Sequence, residues 1–462
     1  MTAKSKKNSD DIRLIRLYMR SHVPIAAGKT VNRPAPAHIL NEFVRALFSD
    51  GVSGKNLVQL VNSKKAAEEQ VLDTLGLKYD PSESNELRQL ANALFNADQR
   101  VFPSGGSFLP LGVEVAQSSR GSDDRFSEGL LLLMSPKQRL EIREALEKSL
   151  RVAGSQNPSM QFVNWFVETL ASGKAKAIED IPLLHENKVG QFPIAGVMHE
   201  LLLKGLSRVD GSGPASGADP ASLLQRTSNF VSFLVLINLI YLGAYFERCQ
   251  SGGAVPDGLS GDGVGGILGL PVFGGRPPGR PTDRLARLSN AALVGAIDRC
   301  HSGLAGVFVR EVEEWNGNVE GLVTRRLHGD DAIALTKRFE DLSVLSDPEK
   351  AFNQMLKPAH IQASARALST KIGSSVSPKG GGPFRISFET SFLDALVFFV
   401  AEDGDPFEDF INSCYTNLGL ILGRVEISDL VKQELEQVTR GTIDLKDAFK
   451  DIEDQVRERL VL

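Results

Sequence analysis

Apolar residues return at helical spacing along most of this chain. Ile12, Ile15 and Met19 share one stripe of a predicted helix, with Asp10 and Asp11 placed to cap it and Arg13, Arg16 and Arg20 opposite. HILNEFVRALFS (38–49) predicts a second amphipathic helix, stopped by Asp50-Gly51, and further helices are expected at about 54–75 and 84–97. The clearest helix start is Ser135-Pro136, a cap residue followed by proline at the first helical position, where the missing N–H costs nothing. From it KQRLEIREALEKSLRVAG runs to a stop at Gly154. MQFVNWFVETLASG (160–173) and GVMHELLLKGLSRV (196–209) complete an N-terminal helical region, 1–209.

Two breaks follow. DGSGPASGADP (210–220) has the composition of a flexible linker, and SSVSPKGGGP (374–383) is the second such stretch. The region between them, 221–373, reads as a middle helical domain with an apolar helix at 222–248 and others at about 282–314 and 330–346. A Gly/Pro-rich loop, 251–281, interrupts it. Loops of that length are usually functional or lack fixed structure, and the sequence leaves open whether this one orders on binding. In the C-terminal region, 384–462, Phe384-Arg-Ile-Ser-Phe388 alternates like a short strand. Helices SFLDALVFFVA (391–401) and PFEDFINSCYTNLG (406–419) follow, and LILGRVEI is a further strand candidate. Two helices close the chain. The last sets Leu445, Phe449, Ile452, Val456 and Leu460 on one stripe among alternating charges, a face suited to partner packing or self-association. The expected fold is therefore mainly α and multi-helical, with a small α+β C-terminal unit of winged-helix-like order.

One stretch has two readings. Phe230 to Phe246, FVSFLVLINLIYLGAYF, is 17 residues without a charge. A helix of that length spans about 25 Å, just short of a bilayer's hydrocarbon core. Arg226 and Glu247-Arg248 bracket it. Ser232 and Asn238 inside it, and the lack of a second such stretch, favour a helix buried on all sides over a membrane span.

Composition narrows the class without naming a reaction. Apolar residues make up 42% and charged residues 24%, the balance of an ordinary globular protein. A net charge of −5 argues against a surface built throughout to hold polyphosphate. The three cysteines, Cys249, Cys300 and Cys414, are widely spaced and odd in number, which fits reduced thiols in a cytoplasm. The basic start MTAKSKKNSDDIRLIRLYMRSH has no apolar stretch behind it, unlike a secretory signal.

Two phosphate-binding words fail on backbone grounds. Gly261-Asp-Gly-Val-Gly-Gly266 matches G-x-G-x-x-G, yet no strand-length apolar run precedes it and ILGLPVFGGRPPG follows, where a helix should present its N–H groups. Gly28-Lys29-Thr30 ends like a P-loop, but Val23 replaces the first glycine and Pro34 and Pro36 prevent the following helix. A Walker-B-like run, ALVFFVAED with Glu402-Asp403, reads better as the end of an amphipathic helix. No cofactor is expected.

Metal chemistry has thin support. His199-Glu200 opens like H-E-x-x-H, but Leu203 stands where the second histidine belongs. Cys300 and His301 are adjacent, so a helix would point them apart. His328, Asp330 and Asp331 form the most polar cluster, read as an N-cap for a helix near Ala332, with a metal-dependent hydrolase site as the alternative. No metal ligand set and no catalytic residue is assigned, and the balance leans away from an enzyme. Positive charge gathers twice, at Lys4, Lys6, Lys7, Arg13, Arg16, Arg20, Lys29 and Arg33, and again at Arg276, Arg280, Arg284 and Arg287. GRPPGRP favours an extended backbone there, and the arginine spacing suits a nucleic-acid backbone, an acidic protein surface or plain solvation. No aromatics interleave, so a base-stacking platform is not indicated.

The passage GPFRISFETSFLDALVFFVAEDGDPFEDFINSCYTNLGLILGR (382–424) resembles a pattern near the ends of non-ATPase accessory proteins encoded in bacterial phage-defence and DNA-restriction clusters, including phosphorothioation-dependent restriction. In that pattern an arginine-containing strand leads to an apolar helix and then to an aromatic-bearing helix ending near YG. Here YTNLGLILG stands where RYGIVIG-like text is expected. The resemblance implies a cytoplasmic subunit that works beside a motor ATPase or a nuclease, and it transfers no catalytic residues. The expected function is a non-catalytic assembly or adaptor subunit; DNA binding through the two basic clusters is the alternative.

Overall fold

The structure is a computed structural model. It describes residues 134–155, 193–208, 220–250, 270–271, 358–376, 385–386, 388–402, 405–422 and 445–460, with isolated positions at 36–47, 130, 295–309 and 349–353. Its elements in chain order are helices α1 (Pro136–Ser155), α2 (Pro193–Ser207) and α3 (Pro220–Gln250), strand β1 (Leu270–Pro271), helix α4 (Pro358–Lys371), strands β2 (Ser375–Val376) and β3 (Arg385–Ile386), helices α5 (Thr390–Val400) and α6 (Phe407–Leu418), strand β4 (Leu420–Ile421) and helix α7 (Leu445–Leu460). The described part is mainly α, as the periodicity predicts.

Local chemistry explains where the helices begin and end. The α1 start is a reciprocal capping box: the Gln138 N–H donates to Ser135 Oγ at 3.3 Å, and the Ser135 N–H donates to Gln138 Oε1 at 2.9 Å. α4 closes with Gly373 at φ 77°, while the N–H groups of Gly373 and Ser374 donate back to the carbonyls of Thr370 and Ser369. That double bond is a Schellman closure, which requires the left-handed backbone glycine adopts most cheaply. α6 ends in the simpler left-handed motif at Gly419, φ 70°, whose N–H donates to the Tyr415 carbonyl at 2.8 Å.

The core is built around α5. It packs against α2, α3, α6 and α7, so segments drawn from before 210, from 220–250 and from the C-terminal region meet on one short helix. Phe392, Leu393, Ala395, Leu396, Phe398, Phe399 and Val400 are all buried, which leaves α5 almost no polar face. The Phe399 ring stacks on Phe230 of α3 at 4.2 Å between centroids, with the planes 3° apart. Phe233 of α3 meets Phe388 and Phe392 edge to face at 6.0 and 4.8 Å. Such pairs add about 0.5–1.5 kcal/mol each beyond the area they bury.

From Thr227 to Leu239, and again at Tyr241, every side chain of α3 is buried. Where its side chains are described, the charge-free stretch is thus a core helix, the buried one of its two readings. Among the described residues no helix is long and apolar enough to cross a membrane. Ile39, Leu40, Phe43 and Leu47 are helical and buried, as the 38–49 pattern requires.

The strands are short and belong to two separate pairs. β2 and β3 pair antiparallel, Ser375 opposite Ile386 and Val376 opposite Arg385, so the stretch 374–383 begins with strand residues. β1 lies inside the Gly/Pro-rich segment 251–281 and pairs parallel with β4, Leu270 opposite Leu420 and Pro271 opposite Ile421.

Candidate functional site

The best-defined polar site is the corner where α2 meets the end of α5. Lys204 in α2 and Arg208 just past its end lie about one turn apart, so their side chains project toward the same neighbour. Lys204 Nζ donates to the Val400 carbonyl at 2.8 Å and reaches Glu402 Oε1 at 3.3 Å. The Arg208 guanidinium donates to the carbonyls of Phe398 and Ala401. Two cations from a distant segment therefore satisfy the orphan carbonyls of α5 and oppose the negative end of its dipole. The guanidinium carbons of Arg208 and Arg226 stand 5.9 and 5.3 Å from the Phe398 ring centroid, a double cation–π arrangement. Beyond Ala401 the chain turns tightly: the Glu402 N–H donates to Asp405 Oδ2 at 2.6 Å, and the Asp405 N–H donates to the Glu402 carbonyl at 3.1 Å. Bonded in this way, Lys204 and Arg208 hold helices together.

Close approach makes this corner possible. A Cβ built on Gly205, between the two cations, would lie 2.0 Å from Phe399 Cδ1 and 2.2 Å from Cε1. Only a glycine lets α2 come near enough for Lys204 and Arg208 to reach the end of α5.

A second polar cluster clamps α7 across α5 and α6. Arg459 Nε lies 2.6 Å from Asp394 Oδ1, and Arg457 meets Glu408 Oε1 at 3.1 Å while lying 4.0 Å over the Phe407 ring. The Glu408 backbone N–H, followed by Arg457, holds the Glu408 carboxyl below its ordinary value. Val456 is buried, so this member of the C-terminal stripe is covered by the chain itself. The Cys414 thiol is fully buried, and its desolvation pushes its pKa well up, the environment of an inert thiol.

His199 packs toward α1, with Nε2 2.8 Å from Glu141 Oε2. Glu200 points to solvent. The pair that opened like H-E-x-x-H thus splits between an interface and the surface. Among the described residues no group of three or more His, Cys, Asp or Glu side chains is gathered as a metal ion would need. His301 is buried. Glu402 follows the end of a helix, α5, where a Walker B motif would need a strand.

The residues proposed for nucleic-acid contact, Arg276, Arg280, Arg284, Arg287, Lys6, Lys7, Arg13, Arg16 and Arg20, lie outside the described residues. So do His328, Asp330 and Asp331, the glycine word at 261–266, the P-loop-like 23–30, Cys300, and the helices expected near 54–75, 84–97, 160–173 and 330–346. Sequence reasoning missed Lys204, Gly205, Arg208 and Arg226. Their signal was faint: a glycine inside a helical pattern, followed by an arginine where the helix should end. No family model, curated protein or solved structure matches this chain.

Proposed function

We propose that the chain is a non-catalytic assembly or adaptor subunit of a bacterial multiprotein system, acting in the cytoplasm beside an ATPase or nuclease in DNA-directed anti-phage defence. The observation that supports this reading is the order of elements in the passage 382–424. Arg385 sits in a short strand, the apolar α5 follows, and α6 carries Tyr415 and ends at Gly419. This is the order of the accessory-protein pattern, and the same passage forms the packing centre of the described chain. Most of its described apolar residues are buried, while Glu408 and Asp409 are exposed. Gel filtration and co-purification with the products of adjacent genes test the proposal. Capture of an ATPase or nuclease is expected; a stable monomer that retains none of them overturns it.

A second reading, a nucleic-acid-binding module with a winged-helix-like C-terminal unit, has one geometric support. The β2–β3 pair falls between α4 and α5, and β1 is tied to β4, only five residues before Arg276. This reading expects DNA binding that weakens steeply with salt and is lost on charge reversal of Arg276, Arg280 and Arg284. An unchanged gel shift in that triple variant rejects it.

A further inference from the structure

We draw no further inference here: the strongest candidate, the buried polar positions of α3 at which Ser228 Oγ, Ser232 Oγ and Asn238 Oδ1 have no hydrogen-bond partner among the described residues, carries nothing because nothing in the structure shows what covers them.

Discussion

Replacing Gly205 with alanine sets two large effects against each other. In a helix interior the change gains about 1 kcal/mol of propensity, because glycine gives up more backbone freedom on folding. The added methyl would sit 2.0 Å from Phe399 Cδ1, 2.2 Å from Cε1 and 2.8 Å from Cγ. Carbon pairs prefer about 3.5–4.0 Å, so α2 or the ring must move by about 1.5 Å. The ring has little room, being stacked on Phe230 at 4.2 Å and held edge-on by Phe398 at 5.2 Å. If α2 moves instead, Lys204 and Arg208 lose the carbonyls of α5. Overpacking of this kind costs about 1–3 kcal/mol, and each carbonyl left bare adds to it. With one carbonyl bared, the net loss is about 1–5 kcal/mol, seen as a lower urea midpoint in far-UV circular dichroism. Phe399→Leu should remove part of the clash, so the double variant with Gly205→Ala should be less damaged than the two single losses predict, by about 0.5–3 kcal/mol. A Gly205→Ala protein as stable as the parent, or more so, would refute the close approach of α2 to α5.

Other consequences are simpler to measure. Arg208→Met should lower stability by about 1–3 kcal/mol, the cost of leaving two carbonyls without a donor, whereas Lys204→Met should cost less because Glu402 and solvent share its site; equal losses in thermal denaturation would contradict the division of labour. Ser232→Ala should be neutral or stabilising by up to about 1 kcal/mol, since the hydroxyl it deletes is buried without a partner among the described residues. A loss beyond that range in the same assay would reveal a bond the hydroxyl makes. Because the carboxyl of Glu408 is held low in the folded state, its contribution is complete above the ordinary glutamate range and disappears as pH falls through the lowered value. Comparing Glu408→Gln with the parent between pH 7 and pH 3 should show a gap that closes at the acid end; a constant gap contradicts the assignment.

Much of the helical architecture was legible because its causes are local. Ser135-Pro136 and Gln138 spell out a helix start within four residues, and the charge-free run after Arg226 favoured a buried helix over a membrane span. Gly419 follows the apolar stripe of α6 where a left-handed cap belongs. The alternation at 384–388 gave β3 for the same reason. What stayed hidden depends on distant pairing. Leu270–Pro271 is two residues long, contains a proline and pairs parallel with a strand 150 positions later, so no local pattern marks it. The role of Arg208 likewise lies in carbonyls that the sequence places 190 and 193 residues away. Of the polar corner, only the residue types were visible in advance.

The position of α5 late in the chain has a temporal consequence. During synthesis α2 and α3 emerge long before residues 390–400, the piece against which both bury their apolar sides. The α3 phenylalanines Phe230 and Phe233 must wait for about 150 further residues, and domains dominated by such long-range contacts assemble slowly. A ribosome stalled before codon 390 should therefore hold a nascent chain that proteases cut within α2 and α3, whereas one stalled on a tethering extension fused after residue 462 should display the protected core.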